Sequence, residues 1–246
     1  MGIVVLTGAG VSADSGVATF RGAGGLWEGR RVEDVATPDA WRRDPAMVWH
    51  FYQVRRAGLS TVEPNDAHRA LAKLGAELEG AGIPFHLVTQ NVDDLHERGG
   101  WDPIHMHGEL AGLLCERCGW RGHDLENVDP DVFVACPECD WERLRPDVVW
   151  FGEMPYHLSQ IDAALQQCTH FLAVGTSGQV YPAAGYLDLA RSRGAATIVQ
   201  SLDEPTNVHP TDTFVPGRAA EVLPQLVDEL LERPGIRSVN RPGPRI

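Results

Sequence analysis

Apolar residues along this chain fall into short runs separated by longer stretches in which they recur every three or four positions. The runs IVVLT (3–7), IPFHLVT (83–89), DVVWF (147–151), FLAVGT (171–176) and ATIVQS (196–201) have the length and β-branched content of strands. Between several of them lie AHRALAKLGAELEG, LSQIDAALQQC and AAGYLDLARSRG, whose apolar positions share one helical face. Such alternation predicts an α/β fold, a parallel sheet with helices on both faces. The rhythm fails in two places. Residues 114–145 carry CERCGWRGHDLENVDPDVFVACPECDWERL with little periodicity, which predicts a small inserted module. An irregular stretch from about Ala18 to Asp44 precedes the helical text AMVWHFYQVRRAGL, so a helical and loop insertion is expected over about 18–65. The main domain is then expected over about 1–17, 66–113 and 146–232. The last residues, 233–246, are rich in Arg and Pro and read as a flexible tail.

Length and composition narrow the function. A chain of 246 residues, 43% hydrophobic and 22% charged, suits one large domain with an insertion. No apolar run approaches membrane-spanning length, and MGIVVLTGAG lacks the basic flank of a secretory signal. A cytoplasmic protein is expected. The net charge of −13 argues against nucleic-acid binding, which needs a basic face.

The first turn makes the fold more specific. Gly8, Gly10 and Ala13 directly follow the first strand in a G-x-G-x-x-A pattern, the Rossmann-like arrangement in which backbone approaches a pyrophosphate closely. A dehydrogenase would then show a second strand ending in an acidic residue roughly 20 positions on. Here TFRGAGGLWEGRR stands instead, a loop carrying Phe20 and Arg21 that is expected to close over the nucleotide. That arrangement favours chemistry on the dinucleotide itself.

Gln90, Asn91 and Asp93 emerge at the C-terminal end of a strand, where ligands bind in open α/β sheets. They suit ribose hydroxyls and a carboxamide, and Asn91 or Asp93 serves equally well as a helix cap. His107, in HMHGEL, has the chemistry of a general base, with a glycine beside it that admits a ligand. His105 and His96 are equal candidates on composition. Cys115, Cys118, Cys136 and Cys139 form two CxxC pairs with 17 residues between them, the spacing of a zinc ribbon. Four thiolates fill a tetrahedral shell, so one structural Zn2+ is expected. Cys168, the fifth, reads as a buried inert thiol.

GAGVSADSGVATFRG, TQNVDDLH, HGEL, the paired CxxC, RPDVVWFGE and VGTSGQVYPAAG occur in the order found in sirtuins, and the resemblance spans roughly residues 3 to 230. Sirtuins are NAD-dependent protein lysine deacylases, so the resemblance implies NAD as co-substrate and acyl-lysine proteins or peptides as partners. It implies that Gly8, Ala9, Gly10, Ser12, Phe20 and Arg21 line the NAD site, with Gln90 and Asn91 at the nicotinamide-side ribose and Asp93 on the carboxamide. Gly175, Thr176, Ser177, Ser201 and Ala219 would hold the adenosine half. His107 becomes the catalytic base, with Asn91 beside it. In the family reaction the substrate amide oxygen attacks C1′ of the ribose as nicotinamide leaves, and the base then activates a ribose hydroxyl. Products are free lysine, nicotinamide and 2′-O-acyl-ADP-ribose. Val149, Trp150, Phe151 and Val180 would contact the substrate, in part by backbone pairing with an extended peptide.

Tyr52 and Arg55 lie three apart and share a helix face. The subgroup of sirtuins that removes succinyl, malonyl and glutaryl groups carries Tyr-x-x-Arg at this place, and a guanidinium with a phenol suits a terminal carboxylate. Removal of acidic acyl groups, with acetyl as a second activity, is therefore expected. A mainly deacetylating or ADP-ribosyl-transferring enzyme, and a non-enzymatic NAD-binding regulator, are the alternatives. Arg56 replaces Arg55 only if the helix register differs. Three residues depart from the usual pattern: Ala18 for Pro, Ser201 for Asn, and Glu109 for Ser or Thr. Negative charge on Glu109 is expected to raise the pKa of His107.

Overall fold

The computed structural model describes residues 2–18, 26–27 and 29–233. Phe20, Arg21 and the tail from residue 234 lie outside them, and with them the expectations about a closing loop and a flexible end. In chain order the elements are β1 (Ile3–Thr7), β2 (Leu26–Trp27), β3 (Arg30–Arg31), α1 (Val32–Val35), α2 (Pro38–Arg43), α3 (Pro45–Gly58) and α4 (Asp66–Gly80). Next come β4 (Phe85–Thr89), α5 (Leu95–Arg98), β5 (Ile104–His105), β6 (Gly108–Leu114), β7 (Arg121–His123) and β8 (Arg145–Val148). The chain closes with α6 (Leu158–Gln167), β9 (His170–Val174), α7 (Ala183–Ser192), β10 (Ala196–Ser201), β11 (Thr213–Pro216) and α8 (Ala219–Leu231).

Six strands form one parallel sheet in the order β11-β10-β9-β1-β4-β5. Alternation along β1 explains its two covered faces: Ile3 and Val5 pack with Leu71, Leu74 and Leu78 of α4 and Leu223 and Val227 of α8. Val4 and Leu6 point oppositely, into a core with Ile161 and Leu165 of α6 and Leu187 of α7. Helix α4 starts where Asn65 Oδ1 accepts the Ala67 N–H at 2.9 Å and His68 Nδ1 accepts the Asn65 N–H at 3.2 Å, so two backbone donors at the helix start are satisfied.

The run DVVWF does not join this sheet. Its strand, β8, ends at Val148 and pairs antiparallel with β6 in a separate three-stranded sheet, β7-β6-β8. Beyond Val148 the N–H groups of Val149, Trp150 and Phe151 donate to the His107 carbonyl (2.9 Å), Glu153 Oε2 (2.9 Å) and the Ala36 carbonyl (3.0 Å), which ends the ladder.

A third core joins α1, α2 and α3 to this small sheet and to the cysteine module, through Trp41, Trp49, Tyr52, Leu110, Leu113, Cys115, Cys136 and Trp150. Polar ties cross the same boundary. Trp41 Nε1 donates to Glu116 Oε2 (2.7 Å), Trp49 Nε1 to the Val132 carbonyl (2.9 Å), and Gln53 Nε2 to the Asn127 carbonyl (2.9 Å). The module and helix α3 are therefore one packed unit.

Candidate active site and metal centre

Sheet register sets the site. Thr7 is level with both Thr89 and Val174, so the turns after β1, β4 and β9 leave the sheet on a common rim. Strand order reverses between β1 and β9, which is where open α/β sheets hold ligands. The turns are pinned to one another: Gly8 N–H donates to the Val174 carbonyl (2.9 Å), Gly10 N–H to that of Gly175 (2.8 Å), and Gln90 N–H to that of Thr7 (3.0 Å). A Cβ on Gly10 would stand 2.7 Å from Gly175 Cα, and Gly175 itself has φ +61°. Glycine is thus needed first for two backbones to touch.

On that rim lies a cleft of about 250 Å³. Gly8, Ala9, Gly10, Gln90, Asn91, Asp93, His107, Gly175, Thr176 and Ser177 line it, and so do Tyr52, Arg55, Val149, Trp150, Phe151 and Val180. Ala18 lines it too. Among the described residues no acceptor is bonded by the N–H groups of Ala9, Thr176 or Ser177, which leaves backbone donors for a phosphate on both glycine turns. Donors of this kind beside two amides, a carboxylate and an imidazole fit a dinucleotide. Ser201 and Ala219 are not on the cleft wall: Ser201 is buried with its hydroxyl on the Asp203 carbonyl, and Ala219 packs in the α4–α8 core.

Ser12 is behind the wall, and its role follows from its partners. Asn91 Nδ2 donates to Ser12 Oγ at 3.1 Å and to the Gly8 carbonyl at 3.2 Å, so the buried amide has one orientation. His68 Nε2 lies 3.4 Å from the same hydroxyl, and because Nδ1 of that ring accepts from Asn65, Nε2 carries the proton. Ser12 then has its own proton for Asp93. Burial pushes the Asp93 carboxyl up, opposed by the Leu95 N–H and by Ser12. Asp93 Oδ1 does accept the Leu95 N–H, at 3.2 Å, so it both steadies the start of α5 and faces the cleft.

The three histidine candidates separate by their partners. His96 is buried against Thr7 Oγ1 at 3.0 Å, and burial holds it well below the ordinary range. His105 Nδ1 is 3.1 Å from the Asn91 carbonyl and its Nε2 is on Glu97, off the cleft wall. His107 lines the cleft with Nδ1 3.1 Å from the Gln90 carbonyl, an atom that only accepts, so the neutral ring keeps its lone pair on Nε2. Burial lowers its pKa, partly opposed by that hydrogen bond. Glu109 takes no part in this. Its carboxylate lies 3.1 Å from His123 Nε2 and 3.9 Å from His105 Nε2, so the charge expected to raise His107 is directed elsewhere. Gly108 also has a different purpose from admitting a ligand: at φ +75°, a Cβ there would sit 2.0 Å from the Asp147 carbonyl of β8.

Tyr52 and Arg55 share the inner face of α3. Tyr52 Oη accepts from Trp150 Nε1 at 3.0 Å, and burial pushes the phenol up to about 12, so it keeps its proton at neutral pH. Arg56 faces the interior, donating to the carbonyls of Leu110 (2.6 Å) and Gly112 (3.2 Å) and to Gln53 Oε1 (2.6 Å). The register therefore puts Arg55, and not Arg56, on the cleft wall. Two residues that sequence reasoning passed over hold this wall. Arg145 forms a two-point pair with Glu153 at 2.7 and 2.9 Å and lies 3.6 Å over the Trp150 ring, while Glu153 accepts the Trp150 N–H. The charges in RPDVVWFGE, eight positions apart, were the available signal.

The four cysteine sulfurs lie within 4.8 Å of one another, with Cys115–Cys139 at 3.7 Å and Cys118–Cys136 at 3.6 Å. Zn–S bonds of about 2.3 Å at tetrahedral angles place sulfurs about 3.8 Å apart. The cluster thus fits one zinc with no open position. Cys168 is buried, and desolvation raises its thiol.

The sequence pattern of the Sir2 family matches residues 8–182. The chain belongs to that family. An NAD-dependent protein deacylase of Leishmania major, SIR2rp3, is 47% identical over 238 residues, covering 94% of this chain and 96% of its own length. A protein of the same description from Caulobacter vibrioides is 47% identical over 95% of this chain and 98% of its own length. Among solved structures, a Sir2 homologue in complex with NAD matches with a TM-score of 0.83 at 39% identity, covering 93% of this chain and 88% of its own. A Sir2 protein bound to a myristoylated histone peptide matches with a TM-score of 0.72 at 30% identity, over 96% and 92%. This Sir2-family enzyme therefore pairs an NAD fold with a structural zinc ribbon.

Proposed function

We propose that this enzyme, an NAD-dependent protein deacylase, prefers lysine acyl groups that end in a carboxylate, of the succinyl and malonyl type, and removes acetyl groups as a second activity. The observation that carries the preference is the position of Tyr52 and Arg55 on the wall shared with His107, with Arg56 committed to the interior. A terminal carboxylate entering an apolar channel loses its hydration, and a guanidinium with a protonated phenol replaces it. The neutral phenol matters, because a phenolate would repel the acyl group.

His107 Nε2 is assigned the proton from the ribose hydroxyl, with the ring held by the Gln90 carbonyl. Asn91 and Asp93, fixed through Ser12, orient the nicotinamide end, and the glycine turns take the phosphates. Released products are nicotinamide and 2′-O-acyl-ADP-ribose. Since the N–H groups of Val149, Trp150 and Phe151 are already spent inside the protein, a peptide strand is expected to use the Val149 carbonyl. Four paired thiols fit a reducing compartment, and a cytoplasmic location is part of this reading. No helix among the described residues is long and apolar enough to cross a membrane.

The experiment is a competition between succinyl-lysine and acetyl-lysine peptides of one sequence, with and without NAD, followed by mass spectrometry. Succinyl should be lost first and only with NAD. Arg55→Met removes a charge-assisted contact of about 1.5–3 kcal/mol, so desuccinylation kcat/KM should fall roughly 10- to 150-fold while deacetylation changes little. Equal slowing of both reactions rejects the clamp.

A pH prediction follows from the His107 environment. The base works only as the neutral ring, and its pKa lies below 6.5 because burial disfavours the imidazolium. The acidic limb of the kcat/KM profile should therefore turn down below pH 6.5 and stay flat through neutrality. A midpoint above 6.5 would contradict a desolvated base.

A further inference from the structure

Away from the cleft, Glu97 of α5, His105 of β5 and Glu109 of β6 bring one imidazole nitrogen and two carboxylates within 4.8 Å of one another. The His105 side chain is only 9% exposed. Its Nδ1 donates to the Asn91 carbonyl, and its Nε2 shares a proton with Glu97 Oε1 at 2.5 Å and lies 3.9 Å from Glu109 Oε1. Glu97 Oε2 is buried and finds no hydrogen-bond partner among the described residues. The other Glu109 oxygen is held by His123 Nε2 at 3.1 Å.

Two carboxylates around one imidazole leave negative charge in excess even when the ring is protonated, and a buried carboxylate oxygen without a donor is costly. An imidazole nitrogen with carboxylate oxygens is the donor set of a divalent first-row cation. Pinning the opposite ring nitrogen to a backbone carbonyl is how metal-binding histidines are oriented. Bonds of about 2.0–2.1 Å at tetrahedral angles place ligand atoms about 3.3 Å apart, between the two separations observed. Relative to the imidazole nitrogen, each carboxylate then needs to move by less than about 1 Å. Both are partly exposed, at 28% and 38%, so an ion can enter and water can complete its shell.

We propose that Glu97, His105 and Glu109 form a second metal site, separate from the four cysteines, that takes a divalent first-row cation of the Zn2+ type. The ion replaces the proton shared by His105 and Glu97. Because Nδ1 of the same ring holds the Asn91 carbonyl, occupancy bears directly on the segment that carries Gln90 and Asn91.

The test uses the full chain with its four-cysteine site filled, titrated with ZnCl2 in a calorimeter while bound zinc is counted by atomic absorption. Wild-type protein should saturate at one ion beyond the structural zinc. In the Glu97→Gln/Glu109→Gln double variant the second ion should bind at least about 10-fold more weakly. Thermal unfolding checks that the variant is folded, and Glu109→Gln alone, on a partly exposed side chain, serves if the double variant is not. Saturation of wild-type at the structural zinc alone overturns the proposal. So does a second ion that binds the variants as tightly as wild-type.

Discussion

His107→Ala is expected to lower kcat by about 10²- to 10⁴-fold, the contribution typical of a positioned general base. NAD affinity, measured by calorimetry without peptide, should stay near the wild-type value. Among the described residues the ring's hydrogen bond is to the Gln90 carbonyl, and the glycine turns are held by contacts among Gly8, Gly10, Gly175 and Gln90 that do not involve it. Nicotinamide release in a single turnover sharpens the test. If the base acts only after nicotinamide departs, the variant should still release it once while failing to give the 2′-O-acyl product. A variant that lost NAD binding and nicotinamide release together would make His107 a structural residue.

Removal of zinc should have an effect as large by a different route. Cys115 and Cys136 sit in the same core as Trp41, Trp49, Tyr52 and Trp150, so the metal holds a packing unit that extends far beyond its ligands. With the ion gone, four thiolates lose their common counter-charge and the module loses the free energy that folds it. The loops that accept from Trp41, Trp49 and Gln53 then release α3, and with it Tyr52 and Arg55. Deacylase activity should vanish on exhaustive chelation and return with ZnCl2, accompanied by a change in tryptophan emission. A zinc-free protein with native emission and full turnover would contradict the structural assignment.

Much of this was legible in the sequence because local pattern and final environment agree. The segments read as helices at AHRALAKLGAELEG and LSQIDAALQQC are α4 and α6, and IVVLT and ATIVQS are β1 and β10. Each places apolar residues with the period of its own element, on one face of the helices and on both faces of the strands. Helix α8 is less evident because Pro224 lies inside it, although Ala219, Leu223, Leu226, Val227 and Leu230 keep a continuous buried stripe. DVVWF misleads for the opposite reason: its composition is that of a buried strand, but its amide groups are claimed by His107, Glu153 and Ala36. Glu109 shows the limit of adjacency: His107 precedes β6, the chain turns through Gly108 at φ +75°, and the Glu109 carboxylate meets His123 and His105 instead. Choosing among His96, His105 and His107 needed three dimensions, because only acceptors and exposure distinguish one imidazole from another.

The cleft is walled by two cores that share few residues. The side formed by the glycine turns rests on the strand ends and the α4–α8 packing, whereas the side with Tyr52 and Arg55 rests on tryptophans and two buried cysteines around α3. Parts of a protein with separate packing can loosen separately. Substitutions that soften the tryptophan-lined core should therefore broaden the range of acyl groups accepted while co-substrate affinity is unchanged, which makes substrate choice the more easily altered trait of this enzyme and dinucleotide use the more resistant one.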